Sequence, residues 1–492
     1  MSGYVHAVTT SEKPTSILPP VQSTAGIPFI VGTAPVNMTD KANVNKPVLC
    51  YSYAEALAAF GYVAPVAGLV GETEIKKHEF TISEFMRSHF AFFQSAPVII
   101  LNVCDPETHT KKAETTSIYF DPKTARAVVA ESGILLDSVR VGTDSTESEK
   151  FTAAFDENGN LVLSALKNET GEYYFELGEN NAVEFTADKL NPAAVTADQV
   201  INGIQKVDEC YPRFRLVPGL LLAPYFSESP SVAAILAAKA AKINHGFQAL
   251  ALIDVPTNES TDDYDTSKYS GVPAWKNEKN IVDKRQVCLW PKVNNDGVIY
   301  ALSTQAAGVI CKTDGENDDV PYVSPSNKNI SGTGSILDDG TEVLLDVDTA
   351  GYLNGQGVVT LLNVSAGWKL WGNRTAVYPT NTDPKDSFIP VSRMFIWISN
   401  TLIQDYWSKL DAPLKRRQID TILDSVNMWL NGLTARQYIL GGRVEFLETE
   451  NPTTDLMDGI ARFHVYITPP SPNREIDFIL EYDPEYLQTL FG

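Results

Sequence analysis

GIPFIVGTAP, residues 26–35, reads as a buried strand that runs into a glycine turn: residues 27–31 are all apolar and show no polar alternation. The segments downstream decide the kind of layer it belongs to. SYAEALAAFGY (52–62) is predicted to be a short helix, capped by Ser52 and ended by Gly61. TISEFMRSHFAFFQ (81–94) is predicted to be a longer one, with Ser83 as its cap and Phe85, His89, Phe92 and Phe93 on one stripe. PVIILNV (97–103) is apolar throughout, as a strand covered on both faces must be. Strand, helix, helix, strand opens an α/β layer fold.

The pattern breaks at 105–195, where Gly, Asn, Thr and Glu rise and short alternating runs appear. KFTAAFDENGNLVLSAL and GEYYFELGENNAVEFTA carry hairpin-like turns at 157–160 and 178–181. We read this stretch as an inserted all-β domain. From 197 the α/β pattern resumes. Helices are expected at ADQVINGIQKVDEC, at SVAAILAAKAAKINHG (231–246, capped by Ser231 and closed by Gly246) and from STQAAGVICKTD onward. Apolar strands are expected at 219–225, 247–256, 285–291 and 357–364. Two long helices, VSRMFIWISNTLIQDYW and APLKRRQIDTILDSVNMWLNGL, then precede a pair of strands at 442–450 and 460–468.

A chain of 492 residues exceeds one compact core. Its 43% hydrophobic and 20% charged residues are those of a globular protein. A net charge of −22 argues against nucleic acid as a direct partner, because phosphate binding needs a clustered cationic surface. No run of 18 apolar residues predicts a membrane span, and MSGYVHAVTTSEKPTS lacks the basic and apolar regions of a secretory signal, so a cytoplasmic origin is expected. The five cysteines are widely spaced and read as buried free thiols.

Chemistry-bearing motifs are few. There is no GxxxxGK[ST] and no GxSxG; GTGSIL (332–337) and GQGVVT (355–360) lack the third glycine of a dinucleotide fingerprint. DVDTAGYLNGQG (346–357) begins like a calcium loop, but Ala350 and Gly357 stand where it needs ligands. No cofactor, no metal site and no catalytic residue is nominated, and the chain is expected not to be an enzyme.

Two terminal stretches alternate with no partner in sight. Ile476, Phe478, Leu480 and Tyr482 would share one face of a final strand in REIDFILEYDPEYLQTLFG (474–492), and Tyr4, His6 and Val8 alternate near the start. Prolines at 14, 19 and 20 and at 469, 470 and 472 mark flexible joints. Lys415, Arg416 and Arg417 form a tri-basic run at the start of a helix, where the dipole opposes them.

Taken in order, these segments resemble the contractile tail sheath proteins of phages and phage-tail-like particles. IPFIVGTAPVN followed by NKPVLCYSYAEALAAFGY is similar to that family's opening. APVIILNVCDP, STQAAGVICKTDGENDDVPYVSPSNKNISG, YLNGQGVVTLLNVSAGWKLWGNRTAVYP and FILEYDPEYL resemble later family segments. Cys311, Lys312 and Gly315 depart from the commoner form around Asp314.

The resemblance implies a central α/β layer domain of subtilisin-like topology without catalysis (23–104 and 197–375), an inserted outer β domain (105–196), a C-terminal α+β domain facing an inner tube (376–473), and extended arms at 1–22 and 474–492. It implies six-fold rings stacked as a helical homopolymer around an inner tail tube protein, with baseplate and tail terminator as further partners. Contraction would drive the tube through a cell envelope. The arms would exchange strands between copies, using Tyr4, His6, Val8, Ile476, Phe478, Leu480 and Tyr482, while Lys415, Arg416 and Arg417 would contact the tube. The implied location is a virion or phage-tail-like particle, assembled in the bacterial cytoplasm and released by lysis. Two other readings stay open: a hydrolase on the α/β sheet, and an adhesin using the β insertion, with Tyr173, Tyr174 and Phe175 as candidate groove residues.

Overall fold

The computed structural model describes residues 21–22, 25–39, 42–70, 73–142, 150–244, 246–364 and 367–491. The opening stretch forms strand β1 (Pro28–Gly32), in which every residue is buried. It is followed by β2 (Val48–Cys50), α1 (Tyr53–Phe60), α2 (Thr81–Met86) and β3 (Val98–Asn102). After residue 196 come α3 (Ala197–Gln205), β4 (Leu220–Leu222), α4 (Pro230–Ala241), β5 (Leu250–Asp254) and β6 (Gln286–Leu289). Next are α5 (Leu302–Gly315), β7 (Lys328–Asn329), α6 (Val347–Gly355), β8 (Val358–Asn363) and β9 (Trp368–Trp371).

These strands make one nine-stranded sheet in the order β7-β9-β8-β6-β5-β4-β1-β3-β2. The stretch from β8 to β3 is parallel throughout, and antiparallel strands close both edges. β1, β3 and β5 are buried along their whole length, which is why they read as apolar runs without alternation. A second sheet orders Gly334–Ile336, Lys292–Asn295, Val298–Tyr300, Thr73–Lys77 and Val66–Val70 side by side.

Local signals hold where the side chain has no competing partner. Ser52 accepts from the Glu55 N–H at 3.3 Å, and Gly61 ends α1 at φ +73°. Asp346 and Thr349 form a capping box, so the rejected calcium loop is the start of α6. Two expected caps differ. Ser83 lies inside α2, with Phe80 at the N-cap; its hydroxyl is taken by the Val63 N–H instead. Beyond Met86 the helix widens to a π-helix, Arg87–Phe92, with His89 stacked on Phe85. α4 begins at Pro230, after Ser229, and stops at Ala241, short of Gly246; Asp208 then holds Asn244 through the Asn244 N–H and side-chain amide.

Between residues 105 and 196, short strands build small antiparallel sheets, chiefly Phe151–Phe155, Leu161–Ala165 and Arg126–Val129. Their core, with Phe120, Val141, Leu161, Leu163 and Phe185, is separate from that of the large sheet. Phe175 stacks on Phe120 inside it, whereas Tyr173 and Tyr174 are exposed.

The C-terminal part packs α7 (Ile389–Tyr406) and α8 (Arg416–Ala435) with β10 (Gly441–Glu445) and β11 (His464–Thr468) around Met394, Ile398, Val426, Leu430 and Val444. It is bolted to the α/β layer by a buried ion pair: Arg393 on α7 donates through both Nη atoms to Asp314 on α5, one bond being 2.8 Å. No helix among the described residues is long and apolar enough to cross a membrane.

Candidate intersubunit surfaces

The hairpin β10/β11 is a two-stranded antiparallel sheet with no third strand among the described residues. Its two outer edges are unlike. At β10, the Asn427 side chain on α8 accepts from the Val444 N–H at 2.9 Å and donates to the Val444 carbonyl at 3.3 Å, so this edge is partly covered. That geometry also fixes the pairing. Val444 points its main-chain groups away from β11, so its partner Val465 points its own away from β10, and Ile467, two residues on, does the same. β11 therefore presents the amide and carbonyl groups of Val465 and Ile467 at a free edge. Their side chains lie against the C-terminal core, so a strand added there would extend an apolar face.

The alternating stretch at 474–482 does not form a strand within the chain. Residues 469–483 carry no regular structure, and Pro484–Phe491 forms a 3-10 turn. Ile476 is 68% exposed, Phe478 82%, Leu480 93% and Tyr482 74%; Ile479 on the opposite face is 87% exposed. A strand needs a neighbour for its main-chain hydrogen bonds, and no strand among the described residues pairs with this stretch. Tyr4, His6 and Val8 lie outside the described residues.

Lys415 occupies the N-cap of α8, and Arg416 and Arg417 open the helix, all three exposed. Arg416 pairs with Asp420 one turn on at 2.9 Å, which offsets the unfavourable dipole; neither Lys415 nor Arg417 forms an ion pair among the described residues. Met428, Leu440 and Met457 leave further apolar surface on this part of the chain.

The other place to look for chemistry in a parallel sheet is beyond the carboxyl ends of its strands. There Asp254, at the end of β5, accepts from the Ser303 N–H (2.8 Å), the Ser303 hydroxyl (2.5 Å) and the Ser227 hydroxyl (3.3 Å). This is a buried carboxylate on the N-terminus of α5, a position the helix dipole favours. Burial nonetheless pushes its carboxyl above the usual range. Glu84 accepts from the Tyr225 hydroxyl (2.7 Å) and the Ala301 N–H (2.9 Å); burial pushes it up to about 7. Lys292 lies 2.5 Å from Asp338 and 3.0 Å from Glu228. Burial raises both carboxyls, but the lysine favours the nearer one: Asp338 is held at about 2 and Glu228 is pushed up to about 7. Both serine hydroxyls are committed to Asp254, and each carboxylate serves a helix start or a lysine. The cluster joins loops across the top of the sheet. Sequence reasoning named none of it, because its members come from six separate segments; Asp314 was quoted in a motif but given no partner.

Among the described residues, the α/β body thus carries an exposed, unpaired arm at one end and a hairpin with an open edge. No protein-family profile matches it. Among curated proteins, the chain is 27% identical to the tail sheath protein of Burkholderia phage BcepMu, over all of this chain and 99% of that one. It is 25% identical to a putative prophage major tail sheath protein of Pseudomonas aeruginosa over 58% of this chain and 70% of that one, and 25% identical to the tail sheath protein of Escherichia phage P2 over 41% and 49%. Among solved structures, a chain of the anti-feeding prophage baseplate superposes with a TM-score of 0.56 at 14% identity, covering 98% of this chain and 99% of that one. The sheath complex of an extracellular contractile injection system in its contracted state gives 0.55 at 12% identity, covering 99% and 100%. Over its whole length the chain is similar to a phage tail sheath protein, and it shares the fold of chains from contractile injection assemblies.

Proposed function

We propose that this chain is the structural subunit of a contractile sheath, polymerising as stacked six-fold rings around an inner tube and shortening to drive that tube through a cell envelope. Its role is mechanical and not catalytic. In this reading the large sheet and its helices are the subtilisin-like central layer (23–104 and 197–375), 105–196 is an outer domain, and 376–473 faces the tube. Baseplate and terminator bind the two ends of the polymer, which is built in the bacterial cytoplasm and released by lysis.

The observation that carries the reading is the complementarity of arm and hairpin. The free edge of β11 offers the main-chain groups of Val465 and Ile467, and residues 474–482 offer an alternating sequence that pairs with no strand among the described residues. Donation of that strand to another copy satisfies both by β-augmentation. The first arm, with Tyr4, His6 and Val8, is assigned the same task. Lys415, Arg416 and Arg417 are assigned to the tube. The acidic composition and the prolines at 469, 470 and 472 fit a soluble subunit whose arm swings while its strand stays joined.

The test is electron microscopy of the purified protein with and without residues 474–492. The full chain should give striated hollow cylinders, and the truncated chain a folded body that does not polymerise. Cylinders from the truncated chain would refute strand donation, and discrete particles from the full chain under all assembly conditions would refute the sheath reading.

A further inference from the structure

At the root of the C-terminal arm lies a cleft of about 570 Å³ between β7, α6, the segment after β9 and residues 472–474. Its charge is anomalous. In a chain of net charge −22 its lining contains Lys328, Arg374 and Arg474 and not one Asp or Glu. Arg374 is held by neutral partners, with its guanidinium over the rings of Phe388 (3.7 Å) and Tyr378 (4.3 Å) and donating to the Ser387 hydroxyl (2.7 Å). Among the described residues Lys328 has no ion-pair partner, and Arg474 forms its one ion pair with its exposed neighbour Glu475. Burial, with a smaller contribution from Arg474, moves Arg374 below its usual range, against an opposing effect of Tyr378. The cleft also has an apolar side: Trp371 and Tyr378 line it, and Val347 is exposed at its rim.

The matching surface is elsewhere on the same polypeptide. Residues 474–492 hold five carboxylates (Glu475, Asp477, Glu481, Asp483 and Glu485) against the single cation Arg474. The last turn, Pro484–Phe491, exposes Tyr486, Leu490 and Phe491. The arm's own root forms one wall of the cleft, so the arm leaves from it, and its tip is free for another molecule.

We propose that this cleft is the receptor for the acidic, aromatic tip (483–491) of the C-terminal arm of a second copy. The arm then has two points of attachment: an extended strand at 474–482 on the hairpin, and a tip anchored on the α/β layer. Cations meet Asp483 and Glu485, and the aromatic wall receives the Tyr486, Leu490 and Phe491 face. The inference rests on the sheath reading only in needing a second copy.

Disulfide trapping tests it. All five native cysteines are buried, so added thiols are the reactive ones. Gly355 and Gly351 on α6 have open space where a Cβ would stand. Full chains carrying Gly355→Cys are mixed with chains carrying Leu490→Cys, with Gly351→Cys and Tyr486→Cys as a second pair, and oxidised mildly under assembly conditions. The expected result is a cross-linked product of two different chains. It should fall several-fold when Lys328→Glu and Arg474→Glu are added to the cleft, and return when Asp483→Lys and Glu485→Lys are added to the tip. Cylinders in the microscope with no mixed cross-link from either pair would overturn the inference and leave the sheath reading intact. So would closure of the disulfide within single diluted chains carrying both cysteines. A charge-dependent cross-link without cylinders would uphold the cleft and count against the sheath.

Discussion

Removing one side of the Arg393–Asp314 pair should uncouple the C-terminal helices from the α/β layer. Arg393 is 3% exposed and Asp314 1%, and the contact uses both guanidinium Nη atoms and both carboxylate oxygens. Truncating either partner strands a full charge where water cannot reach it, at a cost of about 3–5 kcal/mol. Each 1.4 kcal/mol is a factor of about ten, so Asp314→Ala or Arg393→Met should populate the undocked form about a hundred-fold or more above the native chain. Urea unfolding can be followed by tryptophan fluorescence, since Trp397 on α7 lies 5.8 Å from Trp429 on α8 and reports this region. We expect an early transition to appear in the single variants. The double variant Asp314→Leu/Arg393→Met removes both charges together and should recover most of the loss, because a buried ion pair and an apolar pair of similar volume are often close in energy. Single variants that lose less than about 1 kcal/mol would show the pair to be solvated and dispensable, contrary to its burial. A double variant no better than the singles would refute the charge argument and leave packing as the cause.

Three further outcomes concern other sites. A Cβ at Gly308 would overlap the Phe93 ring, so Gly308→Ala should destabilise by about 1–3 kcal/mol in thermal unfolding, with partial rescue by Phe93→Leu. Glu84 sits at about 7 against an ordinary 4.5, a carboxyl raised on folding; its contribution is full below about pH 4.5 and is lost as pH rises through 7, by up to about 3 kcal/mol. Stability measured at pH 5 and pH 8 should therefore differ less in Glu84→Gln than in the native chain, and an unchanged difference would refute the shift. Reversing the charge at Lys415, Arg416 and Arg417 should leave folding unchanged, since all three are exposed, but lower sheath yield on added tubes; normal tube-templated assembly would remove the run from the contact.

The α/β layer was legible because its strands are buried on both faces and leave an unbroken apolar trace, as in residues 27–31 and 98–101. Caps were legible where the side chain had one plausible partner, as at Ser52, and misread where tertiary structure supplied another, as at Ser83. The polar cluster on the sheet was not legible, since Glu84, Tyr225, Asp254, Lys292 and Asp338 are brought together only by the crossovers. The arm shows the opposite limit. Its two-residue period was plain, but a period gives a strand only where a partner edge is paired, and among the described residues 474–482 pairs with none.

How strongly such a strand would hold can be bounded. Burying Ile476, Phe478, Leu480 and Tyr482 at about 1.5–3 kcal/mol each gives roughly 6–12 kcal/mol. Ordering residues 476–482 costs about 1–2 kcal/mol per residue in backbone entropy, roughly 7–14 kcal/mol. The two nearly cancel, and main-chain bonds to Val465 and Ile467 add about 1 kcal/mol each. A lone arm on a lone hairpin would thus be a weak joint, and a net charge of −22 opposes association of free chains through it. In the proposed polymer the same joint would be made intramolecular by neighbouring contacts, and its strength would rise with effective concentration. On the proposed strand donation, the arm would act as a tether that sets which neighbours meet, and the faces of the bodies would supply the energy that a contraction releases.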